Sequence, residues 1–374
     1  MKISVDKKEF SKALSRAASV ADKKSTLPLL SCVLLDTGTN AVSVMATDLY
    51  LESETLVTAS VDTKGSAAVS ARDLLERVKA MPDGPVVIEA TKDRVTLSAA
   101  GSRRKFVVHA MDPADFPRPS PLDGSGTEST AGELAALLCR THYAVSTDET
   151  RAHVNSALFK WSDGTLTIAS TDGHRLAVAS AAFSGDAIQQ FLLPLRALAE
   201  VRRLLSEQAD DSTVTIARDD KRVRFACGDV SIGAKLVDAQ FPPYEQVIPK
   251  TSKTSFTAPR LALADALAAV STSNPSGGVG ISFHAETLHV DAQGNGEGHD
   301  EIAIEFTDGK KPSKGLNIGF QSKYLRDALS CLSDDTVTIR VSGELDPLII
   351  ESEGFTGVVM PMRLDPVSSS KEAA

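Results

Sequence analysis

Val86-Val87-Ile88, Val214-Thr215-Ile216 and Val337-Thr338-Ile339 are one short strand written three times. Consecutive β-branched residues favour extended backbone, and each run follows an amphipathic helix pattern and a turn. Ile88, Ile216 and Ile339 lie 128 and 123 residues apart, close to a third of the 374-residue chain. Self-similarity at a fixed period marks tandem structural units, so the chain reads as three copies of one unit.

Working outward, the helix before each strand carries Leu74, Leu75, Val78 and Met81; Leu198, Val201 and Leu205; or Leu325, Leu329 and Leu332. An earlier helix in each copy carries Phe10, Leu14 and Ala17; Leu134, Leu137 and Leu138; or Leu263, Leu267 and Val270. Between the two helices, apolar residues alternate with period two over 30–35 and 41–45, 157–161 and 165–168, and 279–283 and 287–290. Thr37-Gly38-Thr39-Asn40 and Asp163-Gly164 read as hairpin turns within these stretches. Each copy is therefore expected to run strand, helix, antiparallel strands, helix, antiparallel strands. The fold class is α+β, with two helices covering one face of a sheet. Clusters of turn formers at 117–126 and 248–253 set domains of 1–122, 128–249 and 254–364. The small polar residues 365–374 read as a disordered tail.

The composition is globular, with 42% hydrophobic and only 5% aromatic residues, so the core must be built from aliphatic side chains. No run approaches the ~18 apolar residues of a membrane span. Cys32, Cys139, Cys227 and Cys331 are far apart in apolar segments and read as buried free thiols of a reducing cytosol. The net charge of -9 argues against an ordinary high-affinity nucleic-acid binder. Its distribution is uneven, however. The six helical windows (6–24, 71–82, 131–146, 195–206, 259–274 and 321–332) together carry +7, which leaves -16 for the remainder. Basic helices on an acidic body suggest a polyanion that faces the helices and is repelled elsewhere.

Near the middle of the chain, Ser170-Thr171-Asp172-Gly173-His174-Arg175-Leu176-Ala177-Val178 gathers ionisable groups around a turn between two strands. Such a turn is either catalytic or the lip of a binding groove. His174 with Asp172 invites a hydrolase, but no Gly-x-Ser-x-Gly elbow accompanies them. Nor is there a His-Glu-x-x-His, a phosphate-cradling Gly-x-x-x-x-Gly-Lys-Ser/Thr, or a Gly-x-Gly-x-x-Gly after a strand. Gly294-Asn295-Gly296-Glu297-Gly298 is flanked by polar residues and reads as a loop turn. His109, His142, His153, His174, His284, His289 and His299 show no metal-ligand spacing, and His284 and His289 read as ordinary sheet residues. No catalytic residue, metal or cofactor is expected.

Three stretches carry a family resemblance: 170–178, Lys235-Leu236-Val237-Asp238-Ala239-Gln240-Phe241-Pro242-Pro243-Tyr244, and Val358-Val359-Met360-Pro361-Met362-Arg363-Leu364. Together with Thr47-Asp48-Leu49 and Asp115-Phe116-Pro117, they resemble the bacterial sliding clamps, the beta subunits of DNA polymerase III. The resemblance spans residues 1–364. It implies a head-to-tail homodimer whose six domains close into a ring, with helices around duplex DNA and sheets outside. It also implies a cytoplasmic, nucleoid-associated protein. A ring holds DNA by topology, so a mildly basic bore suffices and many tight phosphate contacts would brake sliding.

On matching positions, the DNA-facing candidates are Lys12, Lys24, Arg72, Lys79, Arg151 and Arg196; Arg202 and Arg203 are added from charge alone. The implied partner groove comprises Val154, Thr171, Gly173, His174, Arg175, Leu176, Pro242, Val247, Tyr324 and Leu345, with Val358, Val359, Met360, Pro361, Met362, Arg363 and Leu364. Flexible methionines there would adapt to varied apolar anchors. Thr171, His174 and Arg175 are expected at the lip and Leu176 on the floor. Short linear peptides from the replicative polymerase, clamp loader, repair polymerases and mismatch-repair proteins would compete for the groove. Phe106 matches a dimer-interface position, opposite a polar Ser271-Thr272. Gln246 stands where relatives often carry Arg, and the loop 274–279 is short. A duplicated copy tolerant of an inhibitor would share these motifs.

Overall fold

The computed structural model describes residues 1–22, 24–99, 101–118, 122, 126–183, 190–284, 286–307 and 316–364. The expected tail 365–374 and most of the turn-former cluster at 117–126 lie outside the described residues. Six helices of eight or more residues are present among the described residues: α1 (Lys7–Val20), α2 (Ala71–Lys79), α3 (Ala131–Thr141), α4 (Leu195–Ser206), α5 (Arg260–Val270) and α6 (Ser322–Ser330). They fall two to a repeat, as the sequence periodicity predicts.

Local chemistry explains their limits. Asp6 caps α1, its carboxylate accepting from the amides of Lys8 and Glu9 at 2.9 and 3.1 Å. The Ser70 hydroxyl caps α2 through the Asp73 amide. Phe10, Ala13, Leu14, Ala17 and Val20 form the buried stripe of α1, which packs on α2 and on strands Ala41–Thr47 and Leu51–Thr63. Two details differ from expectation. Leu30 and Ser31 belong to a 3-10 turn that starts at Pro28, so the strand begins at Cys32. The cysteines are free, but only Cys32 and Cys227 are buried. Cys331 is half-buried and Cys139 exposed, because helical period turns Cys139 to the outer side of α3.

The chain divides into two compact units. Residues 1–135 and 196–236 form one; 136–183, 190–195 and 237–364 form the other. The middle repeat is divided because its strands join sheets begun by its neighbours. In the first unit, strand Val230–Lys235 pairs with Leu51–Thr63, Ile232 opposite Ser53, which extends one sheet to twelve strands. In the second unit, Arg175–Ala182 pairs with Phe355–Val359, Leu176 opposite Val358, within a nine-stranded sheet. A separate four-stranded sheet holds Gly278–His284, Thr287–Gln293, Glu297–Ala303 and Asn317–Gln321. All strand pairings between described strands are antiparallel, which suits hairpins with one face on the core and one in water.

Candidate functional site

The turn at 171–175 is rigid because its polar groups satisfy one another. Gly173 takes φ +95°, a conformation that L side chains resist. The Thr171 hydroxyl donates to the Arg175 carbonyl at 2.7 Å and accepts from the Gly173 amide. Asp172 Oδ1 accepts from the amides of His174 and Arg175, while its Oδ2 takes the Arg175 guanidinium at 2.9 Å. Arg175 reaches a second carboxylate, Asp327 on α6, at 2.6 Å. It also lies over the Tyr324 and Tyr143 rings, 4.5 and 5.3 Å from their centroids. The arginine side chain is only 10% exposed. Burial pushes the Tyr143 phenol well above its ordinary range, so that ring stays neutral beneath the cation.

These contacts revise three expectations. Thr171 and Arg175 are bonded inside the wall and do not present polar groups at a lip. Leu176 is buried in a cluster with Leu158, Phe241, Tyr244 and Val358, so it supports the surface from below and does not line it. Asp172 engages His174 through the backbone amide, and the His174 ring stacks on Tyr324 at 6.3 Å; no His–Asp dyad forms. Arg151, expected toward DNA, lies outside the helices. Its guanidinium donates to the Asp172 carbonyl at 2.9 Å and to the Ser146 hydroxyl, bracing the same turn.

Above this wall runs the segment from Val358 to Leu364. Val358 and Val359 are buried in the last strand, whereas Met360, Met362 and Leu364 stand 36–38% exposed. The Met360 amide bonds the His174 carbonyl and the Met362 amide the Gly319 carbonyl, at 2.9 and 2.8 Å. Leu364 settles over a pair of glycines in register, Gly280 and Gly319. A Cβ on Gly319 would fall 2.5 Å from the Met362 carbonyl oxygen and 2.7 Å from Leu364 Cγ. The sequence does contain this signal, since glycine inside a strand pattern marks close backbone approach. Tyr143, Asp327 and the glycine bed are the residues that motif reading did not pick out.

Other apolar groups are open as well: Val247 is 48% exposed and Leu345 82%. Pro242 precedes the 3-10 turn Tyr244–Gln246, and its carbonyl receives the Tyr244 amide. Leu345 lies in the link leading to Leu348, which pairs with Val359. Val154 is buried. Val247, Leu345, Met360, Met362 and Leu364 give the second unit exposed aliphatic and thioether side chains.

In the first unit, the candidate cations are partly paired. Lys12, Arg16 and Arg203 all engage Glu207, and Arg203 also faces Glu200 at 4.0 Å. Arg196 holds buried Asp48 at 2.6 Å yet stays 62% exposed. Arg72 pairs with Glu76 one helical turn away, Arg202 is half-buried, and Lys24 and Lys79 are exposed. Phe106 is half-buried on strand Lys105–Met111, beside exposed Val107. Three of the histidines, His284, His289 and His299, come together across strands. His289, His299 and Glu301 place ligand atoms within 4.8 Å of one another.

Residues 1–120, 130–243 and 245–363 match in turn the N-terminal, central and C-terminal domains of the DNA polymerase III beta subunit. The beta sliding clamp of Vibrio cholerae is 30% identical over 373 residues, covering 97% of this chain and 100% of that one. The beta sliding clamp of Pseudomonas putida is 29% identical over 375 residues with the same coverage. A sliding clamp (DNA polymerase III subunit beta) from Bartonella birtlesii, solved bound to griselimycin, superposes with a TM-score of 0.89 at 31% identity. That match covers 97% of this chain and 100% of the other. Across three tandem repeats, the chain belongs to the DNA polymerase III beta subunit family, the beta sliding clamps.

Proposed function

We propose that two copies of this chain close around duplex DNA and tether the replicative DNA polymerase, conferring processivity without catalysis of their own. The observation that carries this reading is the row Met360, Met362 and Leu364, exposed above a wall whose polar groups are already bonded. Such a surface gains from burying apolar anchors. Short linear peptides of the polymerase, clamp loader, repair polymerases and mismatch-repair proteins would fill it, each through a few hydrophobic anchors. Val247, Pro242, Tyr324, Leu345, His174 and Met360 to Leu364 are the contact set, and Val154, Thr171, Gly173, Arg175, Leu176, Val358 and Val359 its support. Arg151 joins that support.

Lys12, Lys24, Arg72, Lys79, Arg196, Arg202 and Arg203 supply a diffuse positive field for the phosphate backbone. Partial pairing keeps that field weak, which favours sliding over arrest. Domains of 1–122, 128–249 and 254–364 follow the repeat. For the homodimer, Phe106 sits on a strand that pairs with Arg94–Ala99 on one side and on the other only through Ala110 and Met111, among described residues. An open strand edge beside an apolar ring suits a second copy. Among the described residues, no helix is long and apolar enough to cross a membrane; a cytoplasmic, nucleoid-associated location follows from the proposed task.

The test is anisotropy of a labelled polymerase-derived peptide on the full chain. Met360→Ser with Met362→Ser should weaken binding at least tenfold while the circular dichroism spectrum is unchanged. Unaltered affinity in that variant removes the groove assignment.

A further inference from the structure

His289 lies on strand Thr287–Gln293 directly opposite Glu301 on Glu297–Ala303, and Asp291 lies opposite His299. Because side chains alternate across a strand, all four project from one face, the side away from buried Leu288, Val290 and Ile302. His284, on the adjoining strand, brings its ring to 4.4 Å from that of His289. Three imidazoles and two carboxylates thus gather on the face of the four-stranded sheet away from its buried residues, the same face on which Leu364 lies over Gly280, the strand partner of Asp291.

We propose that this cluster is a binding site for an imidazole-seeking divalent transition metal of the zinc class, with His289, His299 and Glu301 as ligands. Glu301 Oε1 lies 3.4 Å from His289 Nδ1 and 3.1 Å from His299 Nε2. Ligand atoms about 2.0–2.1 Å from a tetrahedral zinc are separated by about 3.3 Å, so both spacings fit one ion. His299 Nδ1 meets Asp291 Oδ1 at 2.6 Å. That contact fixes the tautomer that leaves Nε2 free for a metal, the carboxylate–histidine–metal arrangement of many zinc sites. A water completes the fourth position. A set with two nitrogens selects zinc-like ions over magnesium, which seeks oxygen. The ion clips Glu297–Ala303, the edge strand of its sheet, to its only paired neighbour there among described residues.

The test is a calorimetric titration of chelator-treated full chain with zinc chloride, paired with hydrogen exchange. One zinc per chain is expected, with no saturable heat from magnesium chloride. Asp291→Asn should weaken binding by about tenfold to a hundredfold, and His289→Gln with His299→Gln should abolish it. Zinc should slow exchange of the amides of residues 299–302 in the intact chain and not in the double variant. Lack of a saturable zinc site, full affinity in the double variant, or binding without slowed exchange on that strand would each overturn the assignment.

Discussion

The groove wall and the helix-borne cations of the first unit treat arginine in opposite ways. Arg175 is 10% exposed, held by two carboxylates and laid over two tyrosine rings. Its charge is neutralised and its geometry fixed, so what remains at the surface is shape and apolar area. Around α1 and α4, Lys12 and Arg203, 56% and 33% exposed, share Glu207 and Glu200 with the buried Arg16, three cations against two carboxylates. There the charge is incompletely neutralised, and what remains is a weak field. On the proposed function, the fully paired surface discriminates among peptides by fit, and the partly paired one holds any phosphate backbone loosely.

The largest effect should come from breaking the fully paired side. Arg175→Ala leaves Asp172 and Asp327 facing each other without their cation, and should lower stability by about 3 kcal/mol. A urea midpoint matching the parent would show that the wall does not depend on this arginine. Next in size is removal of the chain after Val359. Val358 and Val359 pair on both sides within the sheet, so a cut before them would damage the fold. Ending at Val359 should cost roughly 2 kcal/mol of peptide binding with the urea midpoint kept. Gly319→Ala is a subtler version. Its Cβ must displace Met362 and Leu364, and peptide affinity should drop by about tenfold, consistent with an overpacking cost of ~1–3 kcal/mol.

On the partly paired side the effects are smaller. Neutralising Lys24 and Lys79 should lessen the slope of log affinity for DNA against log salt by about 0.9 per lost phosphate contact, leaving peptide affinity alone. An unchanged slope would detach these lysines from DNA. Smallest is an acid effect at Glu207. Burial raises its pKa, but Arg16, Lys12 and Arg203 outweigh this and hold it below the ordinary value. A carboxylate depressed in the folded state contributes stability above its unfolded pKa of about 4.3. That contribution disappears as pH falls through the lower folded value. Glu207→Gln should flatten this part of the acid-unfolding curve.

The repeat was legible because strand and helix periods survive in the sequence at Ile88, Ile216 and Ile339 and in six apolar stripes. The division of the middle repeat between two units was not, since pairings such as Ile232 with Ser53 join strands remote in sequence. Within the site, the Gly173 turn and the exposed methionines could be read from residue types. The partners of Arg175 could not, because Asp327 is 152 residues away on α6. The histidine cluster was hidden for the same reason: its spacing exists across strands, not along one.

On the proposed function, the protein is held on DNA by encircling it. Loaded onto closed circular DNA at moderate salt, it should remain bound through gel filtration and be released once the circle is cut by a restriction enzyme. Equal retention on circular and linear DNA, or loss from intact circles, would rule out encirclement.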